Sequence, residues 1–351
     1  MMNKKLRKII NKLKNKGKLS VREYEYLVKN RTEEAAKELK NHAFKIKTAV
    51  YGDKIFIRGL IEISNICKND CYYCGIRHSN KNCGRYRLTA EDILACAEEG
   101  YALGFRTFVL QGGEDPYYTD SVLTDIIRKI KEKYPDCAVT LSLGERTYES
   151  YKALKAAGAD RYLLRHETAD KRHYKKLHPK EMTLKNRIAC LKNLKKLGFQ
   201  VGCGFMVGSP KQTERQIAKD LKFIEKFCPD MCGIGPFVPH KDTPFKDFPA
   251  GTAELTCYLL SIVRIICPKV LLPATTALGT IDTNGRQEGI LSGANVVMPN
   301  LSPISVRKKY MLYDNKISTD EEAAENLKML AERLDKINQK IAIDRGDVKG
   351  R

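Results

Sequence analysis

The chain has 351 residues, of which 42% are hydrophobic and 30% charged, with a formal net charge of +21. That balance reads as a globular chain with ample length for a large core, and it argues against a disordered or fibrous one. The longest apolar runs, such as Leu259 to Cys267, are too short and too interrupted to span a bilayer, so no membrane association is expected.

The charge allows two readings, an anionic partner such as nucleic acid or a lysine-rich chain that places Lys on every solvated face. The basic residues are spread along the chain and no run interleaves them with aromatics, as a base-stacking platform would need. The second reading is preferred, and no nucleic acid is expected. Met1–Lys18 is Lys-rich without an apolar stretch, which predicts no secretory signal and a cytoplasmic location. Twelve cysteines then suggest metal binding where they cluster and small apolar packing elsewhere, rather than a disulfide framework.

In chain order, residues 3–50 read as helical, with Ser20 and Thr32 as N-caps and Glu23 completing a capping box. After Gly52 the pattern changes to β, and 54–63 is the first strand. A cysteine-bearing loop follows, then a helix capped by Thr89 and ended by Gly104. From there strands are predicted at 105–110, 138–142, 161–164, 200–207, 231–236, 270–274 and 294–298. Helices fit 119–133, 146–157, 184–197, 213–227, 252–266 and 284–291. Repeated strand–helix units imply a parallel sheet with right-handed crossovers. Eight such units over about 250 residues suit a closed (β/α)8 TIM-type barrel, with an open doubly wound sheet as the alternative. The expected organisation is a helical extension over 1–50, the barrel over 51–313 and a tail over 314–351. In that tail 318–340 forms a last amphipathic helix and 341–351 frays.

Cys67, Cys71 and Cys74 form a C-x3-C-x2-C triplet just after the first strand, where barrel active sites sit. Thiolates suit soft metals and iron–sulfur clusters. Three ligands on a four-iron cube leave one iron free to chelate a small ligand. A structural zinc is the competing reading and would need a fourth ligand, for which His78 or Cys83 is available.

The triplet with Tyr73 resembles the signature of the radical S-adenosylmethionine (SAM) superfamily. Within that superfamily the chain resembles the HydE-type maturases of iron–iron hydrogenases. The segments that carry this are YCGIR (73–77), RYRL (85–88), VLQGGEDPYY (109–118), VTLSLGE (139–145), GADRYLLRHETA (158–169), GIGPFVPH (233–240), PATTALGT (273–280) and GANVVMPN (293–300). They cover the barrel from about residue 54 to 313, and the two ends match only loosely.

The resemblance implies one 4Fe–4S cluster on Cys67, Cys71 and Cys74, and SAM as co-substrate. Tyr73 would line the adenine site. Gln111, Gly112, Gly113 and Glu114 match the element that receives the SAM ammonium group, and two glycines there permit close backbone approach. Glu167 matches a ribose-binding carboxylate and Arg187 the arginine that pairs with the SAM carboxylate. Met206, within a Gly-rich strand end, and Ile234 match apolar contacts of the adenosyl group. Thr140, Arg161, Arg165, Thr275, Thr276, Tyr310 and Tyr313 match polar positions lining the substrate cavity. Taken alone, several of these read as ordinary core or loop groups, whereas an arginine on a strand, as at 161, points to an anionic ligand.

The implied activity is reductive cleavage of SAM to a 5′-deoxyadenosyl radical in assembly of the hydrogenase di-iron site. The substrate would be a small organometallic complex handed on by the sister maturase HydG, with the product passed to HydF. Some HydE-type proteins carry a second cluster motif near the C-terminus, and Lys316–Ala324 contains no cysteine, so one cluster is expected. Biotin synthase shares the fold but needs further strand cysteines, which residues 105–110 lack. Methylornithine synthase is the nearer rival, having one cluster and a polar barrel. A zinc-dependent nucleic-acid binder is the alternative from another class.

Overall fold

The computed structural model describes residues 2–317 and 323–350. The apolar alternation after Gly52 yields two short strands, β1 (Lys54–Ile57) and β2 (Gly59–Ser64). Then come β3 (Thr107–Gly112), β4 (Ala138–Ser142), β5 (Arg161–Leu163), β6 (Gln200–Cys203), β7 (Met206–Val207), β8 (Met231–Cys232), β9 (Gly235–Pro236), β10 (Val296–Val297) and β11 (Lys340–Ala342). β2-β3-β4-β5-β6-β8 form one parallel sheet in that order, with Gly59 opposite Phe108 and Thr107 opposite Ala138. Parallel bridges Met231–Leu271, Pro273–Val296 and Leu60–Asn300 carry the sheet round to its own first strand. The barrel reading is thereby realised and the sheet closes.

Two expected strands are interrupted for a physical reason. Residues 200–207 and 231–236 break at Gly204 and Gly233, whose backbones touch. A Cβ on Gly204 would lie 1.9 Å from the Gly233 carbonyl oxygen. Beyond this pinch the chains resume as β7 and β9, paired with each other. The predicted strand at 270–274 survives only as bridges, because Pro273 has no N–H to donate.

The helices form where the caps predict. Ser20 and Glu23 make the reciprocal capping box, Thr32 caps Glu33–Tyr51, and Thr89 with Asp92 caps Ala90–Ala102. The N-terminal helices pack on the barrel, with Val21–Lys29 against Glu214–Phe227 and Glu33–Tyr51 against Ala253–Ile266. Short helices at Lys171–Leu177 and Thr276–Ile281, capped by Asp170 and Thr275, were not anticipated. The final helix is described over Ala323–Asp335, and the expected start at 318–322 lies outside the described residues.

The expectation that 341–351 frays is overturned over 341–350, and residue 351 lies outside the described residues. β11 pairs in parallel with β1, and the chain then runs beneath the barrel. There Asp347 accepts from Arg161 at 2.5 Å and from Gln200 at 2.7 Å. Among the described residues no helix is long and apolar enough to cross a membrane.

Candidate active site

The loop after β2 carries the three cysteines, and polar side chains rather than regular structure fix its path. Arg85 donates to the carbonyl oxygens of Asn65, Ile76, Arg77 and Asn80 at 2.6 to 3.0 Å, so one guanidinium gathers both ends of the loop. Asn65 donates to Gly84 and Lys309 carbonyls and accepts from the Tyr86 N–H. Asp70 takes a two-point contact from Arg77. At the end of β3, a Cβ on Gly113 would meet the Ile66 carbonyl at 2.2 Å and the Cys67 Cβ at 2.7 Å, so only glycine fits. The next residue, Glu114, donates its backbone N–H to Cys67 Sγ at 3.3 Å.

Cys67, Cys71 and Cys74 line one cavity of about 290 Å³ at the C-terminal mouth of the barrel. Neither His78 nor Cys83 reaches it. Cys83 instead lies against the Asn65 amide, and His78 is exposed. Among the described residues no three His, Cys, Asp or Glu side chains converge closely enough to hold a single metal ion. The donor set is thus three thiols around a shared space, with no fourth thiol or imidazole on its wall. Burial pushes all three thiols up. Cys74 reaches about 12, with Cys67 adding to the effect, so a bound electrophile must supply the positive charge that makes them thiolates.

The same wall holds Tyr73, Gln111, Gly112, Gly113 and Glu114. Tyr73 Oη lies 3.2 Å from His178 Nε2, while His178 Nδ1 lies 3.0 Å from the Tyr174 carbonyl. Nδ1 therefore carries the proton and Nε2 accepts from the phenol. Burial, helped by the nearby Arg187 charge, drives His178 down to about 3, which keeps the imidazole neutral. Glu167 sits in the left-handed region at φ 60°, held there by its N–H bond to the Gly204 carbonyl. Its Oε2 lies 3.1 Å from Arg165 Nη2, yet neither buried atom has an aligned hydrogen-bond partner. Beneath it, His166 faces Asp220 at 3.4 Å, and its Nδ1 accepts from the Gly204 N–H. Burial lowers His166 to about 3, which keeps the imidazole neutral, and pushes the Asp220 carboxyl well up.

Arg187 is reached by Glu145 at 2.5 Å and donates to the Arg165 carbonyl at 3.1 Å. Met206, Thr275, Tyr310 and Tyr313 complete the far wall. Four predicted positions lie elsewhere. Arg161 is below the barrel, donating to Thr107, the Arg345 carbonyl and Asp347, so its charge serves the tail and not a ligand. Thr140 shares a face of β4 with the cavity-lining Ser142 but sits one step deeper, buried and with its hydroxyl unpartnered. Thr276 borders a separate small recess with Arg286 and Asn300, and Ile234 is packed in the core behind Gly235.

Sequence reasoning missed Arg85, Glu145, Met182 and His178 as parts of the site. Arg85 and Glu145 fall inside the quoted segments, but nothing local to them signals that they hold a loop or another side chain. Met182 Sδ lies 3.6 Å from Cys71 Sγ.

The arrangement is three soft donors, a glycine-lined backbone edge, a carboxylate and a buried guanidinium around one space. It can hold an inorganic cluster beside a zwitterionic ligand that also carries hydroxyls. The model of the radical SAM superfamily matches residues 61–224. The chain is 44% identical over 307 residues to the FeFe hydrogenase maturase subunit HydE of Thermotoga maritima, covering 88% of this chain and 87% of the relative. It is 28% identical to 3-methylornithine synthase of Methanosarcina acetivorans, covering 87% and 85%. Among solved structures it is similar to methylornithine synthase (PylB), with a TM-score of 0.83 at 24% identity over 95% of this chain and 97% of that one.

Proposed function

The chain belongs to the radical SAM superfamily and, within it, to the family of HydE-type iron–iron hydrogenase maturases, and on that premise we propose a role for each wall of its cavity. Cys67, Cys71 and Cys74 would hold a 4Fe–4S cluster by three of its irons. The donor set fits that group because three thiols share the cavity and no fourth thiol or imidazole lines it. This is the observation that carries the reading. When bound, the cluster supplies one electron that breaks the sulfonium C–S bond of SAM, giving methionine and a 5′-deoxyadenosyl radical.

The protein's part is to bind, orient and exclude water. The backbone at Gln111–Glu114 would receive the SAM ammonium group, and Gly113 lets it lie against the cysteine loop. Arg187 would pair with the SAM carboxylate, its plane set by Glu145. The unsatisfied Oε2 of Glu167 suits a ribose hydroxyl. Tyr73 presents its ring to the cavity while His178 holds its hydroxyl. Met206 and the apolar run at Pro236–Val238 would cover the adenine, with Ile234 supporting them from the core.

The second substrate would sit between Arg165, Thr275, Tyr310 and Tyr313. Arg165 brings buried N–H groups without aligned partners, which favours an anion. We take that substrate to be a small organometallic complex in assembly of the hydrogenase di-iron site, received from HydG and passed to HydF.

Anaerobic reconstitution is expected to give a brown protein with about four irons per chain. With a reductant and SAM it should release 5′-deoxyadenosine, and Cys71→Ala should abolish both. A colourless protein, or one that leaves SAM intact, would overturn the reading. Restoration of hydrogenase activity in cells lacking HydE tests the narrower role.

A further inference from the structure

Residues 171–196 carry ten lysines and arginines against a single acid, Glu181. The helices Lys171–Leu177 and Leu184–Lys196, with the loop between them, frame an open apolar groove on the outside of the barrel. Pro179, Met182, Leu184 and Ile188 form its floor, and Lys171, Lys175, Lys180, Lys185 and Lys192 stand round its rim. All five lysines are exposed, and among the described residues none makes an ion pair. Elsewhere on the surface many lysines do pair, as Lys12 does with Glu23 and Lys133 with Glu98.

The floor of this groove is also the wall of the active site. Met182 lines both spaces, and its sulfur lies 3.6 Å from Cys71. At this point one side chain separates the proposed cluster site from solvent.

We propose that the groove docks a small acidic one-electron carrier protein, which delivers through the Met182 wall the electron that SAM cleavage consumes. The proposal rests on the radical SAM reading. One electron leaves the carrier's reduced iron–sulfur or flavin centre, which is oxidised by one unit. It enters the cluster held by Cys67, Cys71 and Cys74, which is reduced by one unit, and no atom or proton crosses the interface. An apolar floor inside a charged rim is the pattern of a protein interface, and transient redox partners use small ones. The unpaired lysines supply long-range attraction for an acidic partner. A nucleic acid fits less well, because the aromatic beside the floor, Tyr174, is buried and stacked on His178 at 3.9 Å, leaving no free ring for a base.

The test uses the full chain and, as probe, a small acidic 4Fe–4S ferredoxin. Association is measured by calorimetry at low ionic strength, with and without the reconstituted cluster. The triple variant Lys175→Glu/Lys180→Glu/Lys185→Glu should bind the ferredoxin at least about tenfold more weakly. A matched variant on the N-terminal helices, Lys8→Glu/Lys37→Glu/Lys45→Glu, should bind as the parent does. With photoreduced ferredoxin as sole donor, the groove variant should lose 5′-deoxyadenosine formation in proportion, while with dithionite it should match the parent. The neutral variant with Gln at the same three positions should fall between them. Equal ferredoxin binding by the groove variant and the parent overturns the proposal. So does a single-stranded RNA that binds the groove more tightly than the ferredoxin. Failure of the parent to cleave SAM with dithionite would instead overturn the catalytic reading, and the binding data would still judge the groove.

Discussion

Glu145 accepts a 2.5 Å hydrogen bond from Nε of Arg187, and both side chains are largely withdrawn from solvent. Burial disfavours the guanidinium charge, but Tyr174 and Glu145 outweigh it and hold Arg187 firmly protonated. A second bond from Nη1 to the Arg165 carbonyl fixes the plane. The arginine therefore arrives at the cavity already oriented, and Glu145 is a positioning residue. Glu145→Gln keeps the shape and removes the charge. It should raise KM for SAM about tenfold with a smaller effect on kcat, read from initial rates of 5′-deoxyadenosine release. An equal fall in kcat at unchanged KM would rule out this role.

Gly113→Ala asks the cysteine loop to move, because the added methyl would overlap the Ile66 carbonyl and the Cys67 Cβ. Backbone cannot yield as a flexible side chain does. We expect a loss of about 1–3 kcal/mol in stability and a clear drop in iron retained after reconstitution. Iron analysis and the cluster's absorbance check it, and full iron occupancy would contradict the close-approach argument.

Glu167→Gln leaves the left-handed backbone at 167 intact, since the N–H bond to Gly204 is unaffected. It removes the charge beside Arg165 and one strong acceptor. SAM affinity, measured by equilibrium dialysis, should fall about fivefold to tenfold. Unchanged affinity would move the ribose contact to another residue.

The tail contributes to stability from beneath the barrel. Arg161 is fully buried, and Asp347 is its ionic partner at 2.5 Å. Asp347→Asn leaves that guanidinium short of a counter-charge and should cost about 2 kcal/mol, seen as a lower Tm. Deleting 344–351 should cost more and still leave the cavity residues in place. A truncated chain with the parent's Tm would return the tail to the frayed state first expected of it.

Glu23 provides a pH test remote from the site. Burial alone would raise its carboxyl, but the Lys12 ammonium at 2.6 Å and the Ser20 contacts pull it from 4.5 down to about 2. A depressed carboxyl stabilises the fold fully above its unfolded value and loses that contribution as pH falls through its folded one. Glu23→Gln should therefore lower stability at pH 7 by about 1 kcal/mol, a figure kept small by partial solvent screening. The gap from the parent should close between about pH 4.5 and 2. Thermal melts across that range decide it, and a gap independent of pH would exclude the ionised form as its source.

Much of the site was legible because it is local. The cysteine triplet, the Gln111–Glu114 turn and Glu167 each lie at a strand's C-terminal end, and barrel topology brings such ends together whatever the loops do. Arg161 misled because an arginine on a strand looks the same from sequence whether it faces a ligand or an incoming tail. Its end of β5 is the lower one, and Asp347 lies far along the chain from it. Thr276 and Ile234 were displaced by one position, which on a short capped helix or a glycine-pinched strand decides whether a side chain meets the cavity.

What the sequence determined alone were the repeating strand–helix periods, the caps at Ser20, Thr32 and Thr89, and three thiols close enough in chain to share one loop. These are nearest-neighbour properties, fixed by side-chain spacing and backbone freedom. Closure of the ring, the Arg85 clasp, the Glu145–Arg187 pair, the tail under the barrel and the single-residue wall at Met182 were decided only by the tertiary structure. The Arg85 clasp spans 5 to 20 residues of one loop and the others join groups tens to hundreds of residues apart, and in each the pairing is set by how the chain folds back and not by any pattern along it.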